Sequence, residues 1–278
     1  MSPDELRSLP RPLAFVLPGG GALGGYQVGV LRALAEHEIV PDLLVGVSAG
    51  AVNAALFSWS TKGPDDLLDG VRRVERVWRQ IRRRDLLRLH PGRIALALAG
   101  RMPSALDNRH GRAFLRRHLG ARLLEQAPIR LALVATDLAN GEAIALTEGD
   151  TALAVLASTA FPGVYPPVVI GDRTLVDGGV VADIPLDLTA SLGAASAIVL
   201  MVPPLATSAP PKRAIDILFR ASTLGVEAHG RTVLRRPPEA LRVVTIPAPP
   251  SPLTTFAVDG AAPMIDEGYA NAMAWLGD

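Results

Sequence analysis

"VLPGGGALGGYQVGVL", residues 16–31, decides how the rest of the chain is read. It starts as a buried strand, breaks into three consecutive glycines and resumes as a helix over 26–39, where Val30, Leu34 and Ile39 recur at helical spacing. A glycine turn between a strand and a helix presents backbone N–H groups to an anion. Dinucleotide-binding folds use such a turn for pyrophosphate, and Gly19-x-Gly21-x-x-Gly24 fits that spacing. An oxyanion that exists only during acyl transfer would suit the same donors. The neighbouring motifs must decide between the two.

Downstream, "DLLVGV" (42–47) reads as a second strand and "SAGAVNAALFSW" (48–59) as a small-residue helix packed closely on its neighbours. Two βα units within 60 residues predict a parallel sheet covered by helices. Residues 129–138 and 142–148 read as a strand pair turning at "ANG", and 173–185 as a strand ending in a glycine turn. Further strands are expected at 197–204 and in "LRVVTIPAPP", with helices at 65–89, 112–119, 213–234 and in "MIDEGYANAMAWL". The segment 150–170 is expected to be helical until Pro162 stops it. The fold class is therefore α/β: a three-layer α/β/α arrangement around a mostly parallel sheet, in one domain over 1–278.

Composition narrows the function classes. The 278 residues are 49% hydrophobic, enough for a large core, and contain no cysteine, so disulfides and thiolate metal sites are excluded. The start "MSPDELRSLPRPLAFVL" carries acids and prolines where an export signal needs a basic start and an unbroken apolar stretch. The longest apolar window, "ASAIVLMV" (195–202), falls short of the roughly 20 residues that span a bilayer. A cytoplasmic location is the expectation. Net charge is only +1, yet 15 arginines against Glu75, Asp85 and Asp107 make the block from Arg72 to Arg122 strongly cationic. The 65–89 helix has a stripe of Leu67, Val71, Val74, Trp78 and Ile81 with arginines on its other face. A solvated face over a core stripe accounts for this; peripheral contact with the inner membrane surface is the second reading. No nucleic-acid recognition motif accompanies the charge, so no nucleic-acid partner is expected.

Chemistry concentrates in two further places. Gly46-Val47-Ser48-Ala49-Gly50 lies where the second strand ends and a helix begins, the setting in which Gly-x-Ser-x-Gly exposes a serine on a sharp turn. The positive end of that helix favours negative charge developing beside Ser48. A serine nucleophile needs a base. His37, His90, His110 and His118 lie early in helical or basic segments, and His229 sits on a late helix tail, read as a solvated helix end. Asp177, followed by Gly178 and Gly179 at a strand end, is the better candidate, although Asp-Gly is also a common turn. Asp183 is read as structural.

Gly19-Gly20-Gly21-Ala22-Leu23-Gly24, the Ser48 pentapeptide and Asp177-Gly178-Gly179, in that order, resemble the three signatures of patatin-like phospholipases. "ASTAFPGVYPPV" (157–168) and "ATDLANGE" (135–142) are similar to stretches of the bacterial members, and "EGYANAMAWL" (267–276) is a weaker echo. The resemblance covers about 13–193, which would form the family core, with the strand and helix of 240–276 completing it. It implies lipid acyl ester hydrolysis by a Ser-Asp dyad with Ser48 as nucleophile and Asp177 as base. The 19–24 turn would supply oxyanion donors around Gly20 and Gly21, with neither cofactor nor metal. Bacterial relatives commonly carry arginine or lysine where this chain has Leu23. Two alternatives remain: a dinucleotide-binding oxidoreductase using Asp42 as ribose acid, and a non-catalytic lipid-binding protein of the same fold. Asp42 follows Pro41 at a strand's start, which counts against the first. Head group, chain length, oligomeric state and hydrolysis versus transfer are not encoded in these motifs.

Overall fold

A computed structural model describes residues 1–82, 90–204, 212–250 and 261–277. Its framework is an eight-stranded sheet. Five strands are parallel: β1 (Leu13–Leu17), β2 (Leu43–Val47), β3 (Arg130–Asp137), β7 (Ser196–Leu200) and β8 (Arg242–Ile246). Three are antiparallel additions at the β3 end: β4 (Ala143–Leu146), β5 (Val168–Ile170) and β6 (Arg173–Asp177). Hydrogen bonds link them in the path β5-β6-β3-β2-β1-β7-β8, with β4 on β3.

Alternate residues of the parallel strands enter different cores, as the two-residue strand period requires. Phe15, Leu17 and Leu44 join one cluster, while Ala14, Val16, Val45 and Val47 join the other. Strands buried on both faces read as continuous apolar runs, which is why these segments were legible. The first cluster is covered by α2 (Gly24–Glu36), α3 (Ala49–Ser60), α4 (Leu67–Gln80) and the closing α10 (Ala261–Leu276). On the other face lie α8 (Leu186–Ser191) and the end of α9 (Ala214–Arg235), through Leu186, Leu188, Val233 and Leu234. Shorter helices α1 (Pro3–Arg7), α5 (Pro91–Leu98), α6 (Arg109–Leu119) and α7 (Thr151–Ser158) complete the described residues.

The closing helix is locked to the glycine-turn helix at the closest possible range. A Cβ on Gly29 would lie 2.0 Å from the Ile265 carbonyl oxygen, and one on Gly268 would lie 2.1 Å from that of Tyr26. Only paired glycines allow that crossing. Tyr269 adds a hydroxyl bond to Glu36 (2.7 Å), and the Arg32 guanidinium stacks 4.2 Å over its ring.

Several boundaries differ from the sequence reading. Helix α2 begins at Gly24 rather than Tyr26, entered through a single 3-10 turn at Gly21–Leu23. Helix α4 ends at Gln80; residues 83–89 of the expected 65–89 helix lie outside the described residues. Strand β5, only three residues long and directly following Pro166 and Pro167, and the short α1 and α8 carry too little periodicity to be read in advance. The apolar stripe of α4 is spent on the core, where Leu67, Val71, Val74 and Trp78 are buried. Three of its four arginines meet acids: Arg72 with Asp69, Arg73 with Asp66, and Arg79 with Glu75 and Asp266. No helix among the described residues is long and apolar enough to cross a membrane.

Candidate active site

The site begins with a meeting of strand ends on β3. Val134 pairs with both Val47 and Ala145, and Thr136 with both Ala143 and Val176, so β4 takes one edge of β3 while β2 and β6 share the other. Because β2 is parallel and β6 antiparallel to β3, their carboxyl ends point at each other. Val47 faces Val134 and Asp177 faces Ala135, consecutive residues of one strand. The residue after Val47 is Ser48, and its hydroxyl donates to Asp177 Oδ2 at 2.7 Å.

Ser48 sits at φ 53° and ψ −117°, a region that non-glycine residues rarely occupy and that costs of the order of 1–3 kcal/mol. The strain is held from both sides. A Cβ on Gly50 would lie 1.9 Å from the Leu17 carbonyl oxygen, so only glycine lets α3 start so close to β1. The Ser48 N–H donates to Ser158 Oγ (2.9 Å), and the Ser158 hydroxyl donates to the Val134 carbonyl (2.6 Å). The Ser48 amide is thereby committed to the scaffold.

Asp177 is fixed just as firmly. Its N–H donates to the Ala160 carbonyl (3.0 Å), its own carbonyl accepts the Thr136 hydroxyl (3.0 Å), and Oδ1 accepts the Gly179 N–H (2.9 Å). The stretches 135–142 and 157–168 therefore supply the backbone and hydroxyl partners that hold the aspartate. Burial raises its pKa to about 6, against the opposing pull of the Ser48 hydroxyl and Gly179 N–H. Asp183 accepts the Gly19 N–H at 2.8 Å. Burial, with the charge of Asp177 adding to it, raises Asp183 to about 7, although the Gly19 bond pulls the other way.

The glycine turn passes beside the serine: a Cβ on Gly19 would come 3.1 Å from Ser48 Cβ. Gly21 takes the left-handed φ of 58°. Gly19 is engaged by Asp183, whereas the N–H groups of Gly20 and Gly21 have no partner among the described residues, and both are half-buried. Ala22 and Leu23 turn their side chains into the core, and Gly24 opens α2. Leu23 is 3% exposed, an apolar residue built into the core.

Sequence reasoning missed the support beneath this turn. Gln27 Nε2 donates to the carbonyls of Pro18 (2.9 Å) and Leu200 (3.1 Å). Asn53 Nδ2 donates to the Gly24 carbonyl (2.8 Å) and to Gln27 Oε1 (2.9 Å), and Trp78 Nε1 donates to Asn53 Oδ1 (2.7 Å). Both flanks of the turn are thus tied to α3 and α4 by a buried neutral network. Ser158, Gln27 and Asn53 were invisible as single polar residues; their one signal was polarity at positions where an amphipathic helix buries apolar side chains.

The remaining candidates fall elsewhere. Asp42 accepts the Leu13 N–H (2.6 Å) and pairs with Arg11 (3.0 Å) at the start of β2, the end of the strand away from Ser48. His229 is exposed on α9, and the partner of the Ser48 hydroxyl is Asp177. No group of three or more His, Asp or Glu side chains converges as a metal site would, among the described residues.

A strained serine between a parallel strand and a helix, facing a buried aspartate across an α/β/α sheet, defines the class of architecture. Residues 15–190 match the patatin-like phospholipase family, and the chain belongs to it. An uncharacterised NTE-family protein of Mycobacterium tuberculosis is 32% identical over 193 residues, which is 67% of this chain and 48% of that protein. Another from the same species is 30% identical over 179 residues, 64% of this chain and 28% of that protein. Patatin-like phospholipase domain-containing protein 7 of Rattus norvegicus is 30% identical over 198 residues, covering 68% of this chain and 13% of that protein. This chain thus spans less than half the length of these relatives. Among solved structures, VipD from Legionella pneumophila matches 96% of this chain and 67% of its own at 14% identity, with a TM-score of 0.46.

Proposed function

We propose that the protein is a serine hydrolase of lipid acyl esters, of phospholipase A, lysophospholipase or esterase type, working through a Ser48–Asp177 dyad. The observation that carries this reading is the 2.7 Å bond from the Ser48 hydroxyl to Asp177, made across the junction of β2 and β6. Asp177 takes the hydroxyl proton as Ser48 Oγ attacks the ester carbonyl. A carboxylate lifted to about 6 by burial is a stronger base than an ordinary aspartate and is still ionised at neutral pH. The unpartnered N–H groups of Gly20 and Gly21 would receive the tetrahedral oxyanion, where one such donor is typically worth about 3–4 kcal/mol. Asp177 then returns its proton to the departing alkoxide. In the second half it draws a proton from water as the water oxygen attacks the acyl carbonyl, and it returns that proton to Ser48 Oγ as the acyl–Oγ bond breaks, releasing the carboxylic acid and restoring the Ser48 hydroxyl.

Turnover of p-nitrophenyl esters and of phospholipids by four proteins tests this. Ser48→Ala and Asp177→Asn should each lose roughly 10³-fold or more in kcat/KM while staying folded, and His229→Ala should keep wild-type rates. Activity retained in Ser48→Ala refutes the mechanism, and activity lost in a folded His229→Ala replaces the dyad with a triad.

A further inference from the structure

Helix α9 carries apolar residues on two opposite faces. At about 100° per residue, Thr223, Val226, Gly230 and Val233 share the face that meets the body. A Cβ on Gly230 would lie 3.1 Å from Ile184 Cδ1, and Val233 and Leu234 pack onto the core beneath. Ile217, Ala221, Leu224 and Ala228 fall roughly half a turn away, with Leu218 alongside. They face solvent: Ile217 is 50% exposed, Leu218 63% and Leu224 44%.

The outer face of a surface helix is where charge is expected, yet no exposed residue described between Ile217 and Ala228 is charged. Arg220 and Glu227 are half-buried and face each other at 3.7 Å. Exposed cations gather at the two ends instead, Lys212 before the stripe and Arg235 and Arg236 after it, with Arg231 paired to Glu227 at 4.0 Å. The helix is also tied to the site at both approaches. Val202, ahead of it, packs against Gly20 of the glycine turn, where a Cβ would lie 2.9 Å from its side chain. Ile184, beneath Gly230, directly follows Asp183, which holds Gly19. At about 1.5 Å per residue, the apolar stripe lies within roughly 20 Å of that anchor. Val180, three residues beyond Asp177, is likewise 50% exposed.

We infer that the Ile217–Ala228 face of α9 docks on an anionic lipid bilayer, holding the Ser48 rim against the layer from which the ester is drawn. The aliphatic stripe enters the acyl boundary while the end cations meet anionic headgroups. This rests on the lipid-ester reading above and assigns lipid contact to α9, since α4 buries its own apolar stripe.

Co-sedimentation of the full chain carrying Ser48→Ala, with equimolar phosphatidylcholine–phosphatidylglycerol vesicles, measures docking without turnover. Adding Ile217→Ser, Leu218→Ser and Leu224→Ser together should weaken binding about tenfold or more, and vesicles of phosphatidylcholine alone should bind less. In the active protein the triple variant should keep p-nitrophenyl butyrate turnover within about twofold while losing vesicle phospholipid turnover. Should the triple variant misfold by circular dichroism, Leu218→Glu alone should still weaken binding about threefold or more. Vesicle binding that is unchanged in a folded variant overturns the inference. So does a wild-type dimer that the substitutions split, which would make the face a contact between two copies. If no ester is hydrolysed by any form but vesicle binding remains sensitive to these residues, the docking surface stands and the hydrolase reading falls.

Discussion

Two walls flank Ser48, and they are built from different chemistry. On the glycine-turn side, Gln27, Asn53 and Trp78 form a buried network of neutral groups that pins the carbonyls of Pro18 and Gly24. The other wall is two carboxyl groups, Asp177 on the serine and Asp183 on the Gly19 N–H. The first wall holds shape at any pH, because none of its groups titrates in the ordinary range. The second holds shape and also carries charge whose state changes near neutrality, so the proposed dyad would draw its acid–base work from this wall alone.

Breaking the neutral wall should cost most in stability. Asn53→Ala removes two donors and one acceptor and strands the buried Trp78 Nε1, Gln27 Oε1 and the Gly24 carbonyl. A loss of about 3 kcal/mol in urea unfolding is expected, equal at pH 5 and pH 8. A cost that varies with pH would show that the network is coupled to the acid pair.

Ser158→Ala probes the seam between the walls, since Ser158 links the Ser48 N–H to the Val134 carbonyl. Its loss should destabilise the protein by about 1–2 kcal/mol and lower kcat more than it raises KM, because it relaxes the strained backbone of the proposed nucleophile rather than a binding surface. A pure KM effect would contradict the assignment.

Asp183→Asn is the mildest change and the sharpest test of the second wall. Its folded pKa is raised to about 7 above an unfolded value near 3.9. The native state therefore binds the extra proton, and the stability it contributes is complete below about pH 4 and lost as pH rises through about 7. Replacing the acid by an amide that still accepts the Gly19 N–H should raise the melting temperature by about 2–4 °C at pH 8 and by almost nothing at pH 4. The same variant should keep the rise of kcat/KM that follows ionisation of Asp177 near pH 6. A shift equal at both pH values would mean that Asp183 acts only through packing.

These walls were unequally legible in the sequence. Gly46, Ser48, Gly50 and Asp177 declared themselves because tight turns restrict residue type at fixed spacing, which leaves a pattern visible without coordinates. The parallel strands were equally plain as doubly buried apolar runs. Gln27 and Asn53 each look like an ordinary polar residue on a helix, and their partnership depends on the packing of α2, α3 and α4. Asp183 looked structural; only the approach of β6 to the glycine turn shows which N–H it holds. Helix α9 was found to within a residue or two, yet periodicity alone cannot say which of two apolar faces meets the core.

The central claim is that Asp177 activates Ser48, and reaction with a fluorophosphonate ester tests it without any assumption about the natural lipid. Intact-mass and peptide analysis should show a single adduct on Ser48 in the wild type. Its rate should follow the ionised fraction of a group near pH 6 and fall roughly 10²-fold or more in folded Asp177→Asn. Labelling of Ser48 at an undiminished rate in Asp177→Asn, or an adduct on another residue, would contradict it.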